Sequence, residues 1–445
     1  MTGIRALQDR LRQSLWVLPA LFASAAAVLA LALTAVDREL SRDPGALWFM
    51  FGGTAEGARS VLSTIAQSML TFTGLVFTIT MLVLQLATSQ LSPRVMRTFL
   101  RDRGNQTVLG LFVATFVYTL LVLRDVRAEV DGEGGFVPAL SIWVAFALLI
   151  ASIAAFIYYI NHMAHAIRAS TVIENIWEET RRAIDREHRD PVGEREVEDR
   201  IPPATDEEGS DGPERLVENP QAGVIVTIDE DRLLELAGDG DRRIVLLAAV
   251  GDFVPEGAPI ARLVGTGDGD AADDVLEAVG HGRERTLVQD AAFGVRQLVD
   301  IANRALSPGT NDPSTAVQAL DRIHDLMRRW SWRAMAAAPR QGEDGVQRVF
   351  FADPSWEELV HLAFDEIRIA GRTSIQVNRR LRHVLLDLLS VAPDHRRPVL
   401  RDLLERLDAA VAEAFSNTKD VADLRRPSPR GHARQSVPGK SRNRA

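Results

Sequence analysis

The chain has 445 residues and a formal net charge of −9, a length that points to two or three domains and a charge that names no partner. It contains no cysteine, which excludes disulfides, thiolate zinc sites and cysteine nucleophiles. Its only lysines are Lys419 and Lys440, so Schiff-base, P-loop and lysine-carrier chemistry is excluded from the body of the chain.

Four nearly uncharged apolar runs stand near 15–36, 61–88, 107–123 and 139–160. A spanning helix needs about 20 apolar residues, so residues 1–184 read as a transmembrane domain of four helices. The first run follows Arg5, Arg10 and Arg12. It is longer than a signal-peptide core of roughly 7–15 residues, and reads as a retained helix.

Arginine placement sets the expected orientation. The loop after the second run carries Arg94, Arg97, Arg101 and Arg103 against Asp102. The loop after the third carries Asp125, Glu129, Asp131 and Glu133. Both termini and the basic loop are therefore expected in the cytoplasm, across an inner (plasma) membrane.

The second run carries Ser60, Thr64, Gln67, Thr71, Gly74, Thr78, Gln85 and Ser89 at steps of three, four or seven. That spacing places them on one helix face. Lipid penalises such a stripe, so it is expected to face protein or water. Two readings are open: interhelical packing, or the lining of a polar pathway. The fourth run ends in Tyr158 and Tyr159, which suit an interfacial belt. His162 and His165 follow on one face but lack a third ligand, so no metal is expected there.

Residues 185–215 are highly charged, with proline and glycine, and read as a flexible linker. Residues 216–266 read as a small β module: a strand over 223–228, a short helix over 229–237, a strand over 243–249, then turns and a last strand. The stretch GDFVPEGAPI is similar to half of a barrel-sandwich module, the fold of lipoyl and biotinyl carriers. Without a lysine, a structural or assembly role is the expectation.

Residues 273–424 read as a helical cytoplasmic domain, with helix over 273–333 and 355–415 and one strand over 346–353. Within it, Leu287, Ala291, Val295, Leu298, Ala302 and Ala305 form an apolar face opposite Gln289, Arg296, Asp300 and Asn303. Ser355 and Glu358 form a capping-box pattern. In SPGTNDPST (307–315), Pro308 ends one helix, Asp312 caps the next and Pro313 takes its first position. Asn311 is the runner-up cap; with Asp312 as the cap it is left without a role, beside a helix start where an anion could bind. The tail, 425–445, is basic and reads as disordered, able to touch an anionic leaflet.

Several stretches together resemble one family: QLATSQLSPRVMRTFLRDRGNQ, ASTVIENI, GDFVPEGAPIARL, QDAAFGVRQLVDIANRALSPGTNDPSTAVQALDRI and FDEIRIAG, in this order. They look like the bacterial predicted membrane proteins of domain-of-unknown-function family 2254. The resemblance spans about residues 15–415. It implies an integral membrane protein with a cytoplasmic C-terminal region. It implies no catalytic residues and no cofactor.

Nucleotide-binding, serine-hydrolase and zincin motifs are absent, and no aromatic-basic platform supports nucleic-acid binding. The fold expected is an α-helical integral membrane protein of four transmembrane helices with a cytoplasmic α+β region, the small barrel-sandwich-like β module plus a helical bundle. The function expected is a homo-oligomeric channel or transport-type protein in the lipid bilayer. The alternative is a scaffold or sensor whose cytoplasmic domain binds a protein or small ligand. Asp290, Arg296, Asn311 and Asp312 are the possible ligand contacts and the polar groups offered to an enzyme reading, with Glu284 and Arg285 as further acid or base positions; that reading lacks a nucleophile–base pair.

Overall fold

A computed structural model describes residues 17–40, 54–90, 103–128, 136–166, 168–187, 214–239, 242–265, 271–335, 340–341, 346–415 and 417. Arg94, Arg97 and Arg101, most of the 185–215 segment and the 425–445 tail lie outside them. The chain forms two compact units, residues 1–171 and 172–445.

Among the described residues the first unit has four long helices: α1 (Val17–Leu40), α2 (Ala55–Gln90), α3 (Arg103–Asp125) and α4 (Ala139–Ala166). All four are long and apolar enough to cross a membrane. The third apolar run, the shortest in the sequence, extends to a 23-residue helix because Arg103–Gln106 join it at the start and Arg124 and Asp125 at the end. Half of the α3 span is buried, against about a fifth in the others (22%, 17% and 22%). So α3 is the helix on which the rest pack. Its Gly110 admits Phe22 of α1, since a Cβ there would stand 3.2 Å from the ring. Phe72, Phe112 and Phe156 bring α2, α3 and α4 together, with the Phe72 and Phe156 rings stacked at 5.0 Å.

The helices alternate up and down, and one end is closed by polar contacts. Buried Asp37 accepts from the Leu140 and Ser141 amides, both at 3.0 Å, and from the Ser141 hydroxyl at 2.6 Å. It thus satisfies the orphan donors at the start of α4 from a neighbouring helix. Arg38 pairs with Asp125 at 3.1 Å, and Arg59 donates to the Val126 carbonyl at 2.9 Å.

The second unit starts within α5 (Ala169–Glu187). The transmembrane domain expected from the sequence runs to residue 184. The chain instead divides at Thr171/Val172, because α5 packs its Val172, Ile173, Ile176, Ala183 and Ile184 face in the second unit. Then come β1 (Glu214–Glu218), β2 (Gly223–Ile228), α6 (Glu230–Asp239), β3 (Arg243–Leu246), β4 (Phe253–Val254), β5 (Pro259–Val264), α7 (Ala271–Ala278) and β6 (Val279–Gly282). After them come α8 (Ala291–Leu306), α9 (Pro313–Trp330), β7 (Arg340–Gln341), β8 (Gln347–Phe350), α10 (Trp356–Ala370), α11 (Ile375–Val391), a short 3-10 turn (Asp394–Arg396) and α12 (Arg397–Ala414).

Two sheets form, ordered β1-β5-β3-β8-β7 and β4-β2-β6. The β module therefore reaches past residue 266. It recruits β6, and it takes β8 parallel to β3 from about a hundred residues downstream. The helix expected over 273–333 is accordingly broken. Val279–Gly282 is a strand paired with β2, and α8 starts only at Ala291. Leu287 and Gln289 thus precede the helix. Gln289 clamps β2 instead, accepting from the Ile228 amide at 2.8 Å and donating to its carbonyl at 3.1 Å.

Helices α5 and α8–α12 make the bundle. Gly294 of α8 lies so close to Thr180 of α5 that any Cβ would overlap the Thr180 hydroxyl. Salt bridges also join α5 to α9, Arg322–Glu174 at 2.5 Å and Arg329–Asp185 at 3.0 Å. Arg396 is fully buried, donating to the Trp330 and Arg333 carbonyls at 2.9 Å and lying over Trp356 at 5.0 Å.

Candidate functional site: a polar face on the second spanning helix

Helix α2 has two opposed faces. Ala58, Leu62, Ile65, Ala66, Met69, Val76 and Val83 are buried against the other helices. Ser60, Thr64, Gln67, Thr71, Gly74, Thr78 and Gln85 are all exposed. At about 100° per residue the two sets centre roughly 180° apart. The polar stripe therefore points directly away from the bundle. Leu70 (62% exposed), Phe77, Met81, Leu75 and Leu82 flank it on both sides.

The hydroxyls on this face are bonded within the helix. Thr64, Thr71 and Thr78 donate to the carbonyls four residues back at 2.8, 3.0 and 2.9 Å. That is the usual way such side chains enter an apolar environment. The Gln67 and Gln85 side-chain amides make no hydrogen bond among the described residues. An amide moved into an apolar medium without a partner costs roughly 2–7 kcal/mol. Gln85 closes the candidate span and Gln67 lies well inside it, so Gln67 is the amide for which lipid tails would be the costliest surroundings.

Polar residues of the same helix that point inward behave differently. Thr80 bonds the Tyr159 hydroxyl at 2.7 Å, and Tyr159 donates to the Val76 carbonyl at 3.0 Å. On α3, Thr115 meets Ser152 at 3.1 Å.

Of the basic loop, Arg103 is described. It is the exposed first residue of α3 and sits at the mouth of a groove between α3 and α4. His162 stacks on Tyr158 with centroids 5.5 Å apart.

The four residues proposed as ligand contacts in the second unit do not converge. Asp290 precedes α8 and Asn311 and Asp312 follow it, so about 24 Å of helix separates them. Each has local employment. Asp290 caps α8 through the Phe293 amide at 2.9 Å and binds Arg285 at 2.8 and 3.0 Å. Burial pushes its carboxyl above the ordinary value against the pull of Arg285. Gly251, with φ +101°, makes room for this pair, as a Cβ there would lie 2.5 Å from the Asp290 carboxylate. Arg296 pairs with Asp300 at 2.9 Å and with Glu366. Asp312 accepts from the Ser314 and Thr315 amides, both at 3.1 Å, and from the Thr315 hydroxyl at 2.6 Å. That last bond leads the contacts that lower its pKa. Asn311 has φ +45°, the one positive-φ non-glycine among the described residues, and asparagine is among the few residues that visit this region readily.

Sequence reasoning missed two buried charge clusters. Glu187 ends α5 and accepts from the Ala291 amide at 3.3 Å. Burial, offset in part by that hydrogen bond and reinforced by Asp290, raises its pKa to about 7. His324 of α9 is held between Asp387 at 2.8 Å and Arg380 at 3.0 Å. Arg380 can only donate, so the far ring nitrogen carries the proton toward Asp387. Burial keeps this imidazole below its ordinary pKa. An i,i+4 search along one helix finds neither cluster, since the partners come from other elements.

Four membrane-length helices and an outward polar face define the class: a multi-span membrane protein with a separate α+β unit. Comparison with known proteins agrees. The profile of the family described as predicted membrane proteins, domain-of-unknown-function family 2254, matches residues 12–387, and the chain belongs to that family. It is 33% identical over 438 residues to an uncharacterized protein of Mycobacterium bovis and to one of Mycobacterium tuberculosis, covering 94% of this chain and 80% of each relative. No solved structure matches.

Proposed function

We propose that the protein is a homo-oligomeric channel or transport-type protein of the inner membrane. Its termini and its α+β unit face the cytoplasm, and the latter acts as a regulatory domain. The observation that carries this reading is the opposition of faces on α2. In a ring of copies, Thr64, Gln67, Thr71, Thr78 and Gln85 line the axis, while Leu70, Phe77 and Met81 on one flank and Leu75 and Leu82 on the other meet the neighbours. Water in the lumen then solvates the two glutamines, which lipid cannot. The basic sequence at Arg94, Arg97, Arg101 and Arg103 supports a cytoplasmic mouth.

The test is solute flux. The full chain in liposomes is expected to pass ions or small solutes above the rate of empty liposomes. Thr71→Leu with Thr78→Leu is expected to reduce that flux while leaving the protein folded. Flux equal to that of empty liposomes sinks the proposal.

One observation favours a second reading, a non-transporting scaffold or sensor whose cytoplasmic unit binds a protein or small ligand. The stripe's threonines already bond their own helix, as suits a face that packs on another helix without a lumen. Under this reading, single cysteines at Thr71 and Thr78 cross-link efficiently between copies and remain closed to water-soluble thiol reagents.

A further inference from the structure

The groove between α3 and α4 has a volume of about 500 Å³, within the roughly 300–1,000 Å³ of small-ligand sites. Its character changes along its length. Arg103 and Thr107 stand at the end of α3, followed inward by Val108 and Leu111, with Ala154 and Ala155 of α4 opposite. Arg103 and Thr107 are both exposed, and neither side chain has an ion pair or hydrogen bond among the described residues. From Arg103 to Leu111 is about 12 Å along the helix. Polar headgroup regions occupy roughly 5–8 Å on each side of a hydrocarbon core. With α3 spanning the bilayer, Arg103 sits at headgroup depth and Leu111 among the tails.

We propose that this groove holds one anionic phospholipid, its phosphate on Arg103 and Thr107 and an acyl chain along Val108, Leu111, Ala154 and Ala155. The argument is complementarity at both ends. A cation and a free hydroxyl meet the phosphate, aided by the positive end of α3. Ala154 and Ala155 keep the α4 wall of the groove low beside Tyr158. Neutral lipid satisfies only the apolar wall, and a soluble anion only the mouth. The proposal rests on α3 and α4 spanning the membrane and is independent of the channel reading.

The experiment is native mass spectrometry of the full-length protein, delipidated and titrated with phosphatidylglycerol or phosphatidylcholine of identical chains. The unmodified protein is expected to retain phosphatidylglycerol about five-fold better, the effect of one basic residue at a membrane surface. Arg103→Gln is expected to remove the preference and Arg103→Lys to keep it. Ala155→Phe is expected to reduce retention of both lipids. Millimolar inorganic phosphate is expected to displace neither.

Equal retention of the two lipids, or an unchanged preference in Arg103→Gln, overturns the proposal. So does efficient cross-linking of Thr107→Cys between copies, since the chain has no other cysteine and that result puts a neighbouring protein in the groove. Unaltered elution on size exclusion and an unaltered helical spectrum establish that each variant is folded.

Discussion

The two units spend their polar side chains differently. In the α+β unit, Asp290, Arg296, Asp312 and Arg396 each complete a cap, an ion pair or a set of carbonyl bonds within their own fold. In the membrane unit, Asp37 and Thr80 do the same, but Gln67 and Gln85 project from the far side of α2 with no partner among the described residues. A polar residue in contact with water costs nothing and so says little. The same exposure on a spanning helix costs several kcal/mol per amide unless something covers it. The informative polar groups are therefore those of the membrane unit, although the α+β unit has many more charges.

Two helical glycines give the sharpest contrast. Gly294 on α8 touches Thr180, whereas Gly74 on α2 has open space where its Cβ would stand. Gly294→Ala is expected to lower stability by about 3 kcal/mol, the upper part of the usual overpacking range, read from the unfolding midpoint of the full chain in detergent. Thr180→Ala in the same chain is expected to recover part of the loss. Gly74→Ala is expected to be neutral or to stabilise by up to about 1 kcal/mol through helix propensity. Equal effects at the two glycines would break the comparison.

The next effect in size is a pH dependence confined to the α+β unit. Glu187 is half-buried, and this desolvation, with Asp290 and Asp353 adding to it and the Ala291 amide and Arg186 opposing it, raises its pKa from 4.5 to about 7. The folded state thus binds this proton more tightly than the unfolded chain. The associated stabilisation is complete below about 4.5 and is lost as pH rises through about 7. With partial solvation the amplitude is about 2 kcal/mol. Amide exchange at the start of α8 is expected to show weaker protection at pH 8 than at pH 5, after correction for intrinsic rates. In Glu187→Gln that difference is expected to vanish. A native protein whose α8 protection rises with pH would show Glu187 to be ionised throughout.

What the sequence made legible follows the range of the interactions. The four spans depend on runs of about 20 apolar residues, and the α2 stripe on i,i+3 and i,i+4 spacing, so both could be read directly. The Ser355–Glu358 capping box forms as its spacing implies. Strand β6 was hidden because its only support is β2, some fifty residues earlier, while helix-friendly residues flank it on both sides. Strand β8 was visible, but not its parallel pairing with β3. Glu187 sits in DREHRD, which reads as solvated charge, and only the approach of α8 buries it. The four candidate ligand residues were chosen by type and proximity in sequence, and a helix of 16 residues holds two pairs of their positions apart.

The smallest effects test the loop at 307–315, where a ligand contact and a structural corner make different demands. Asp312→Ala removes the cap of α9 and is expected to cost about 1 kcal/mol. Asn311 is the finer probe. Its φ of +45° favours glycine and tolerates asparagine, but penalises a side chain with nothing to offer the backbone. Asn311→Gly is therefore expected to change stability by only a few tenths of a kcal/mol, and Asn311→Ala to lower it by about 1 kcal/mol, both read from the same unfolding midpoint. A side chain kept for its amide gives another pattern: both variants lose whatever the loop binds, and stability does not separate them. If Asn311→Gly matches the native protein in stability and in flux while Asn311→Ala loses stability alone, the asparagine is present for its backbone. Contacts to small ligands are then to be sought at groups whose polarity no local structure uses, among them Gln67 and Gln85 on α2 and Arg103 and Thr107 on α3.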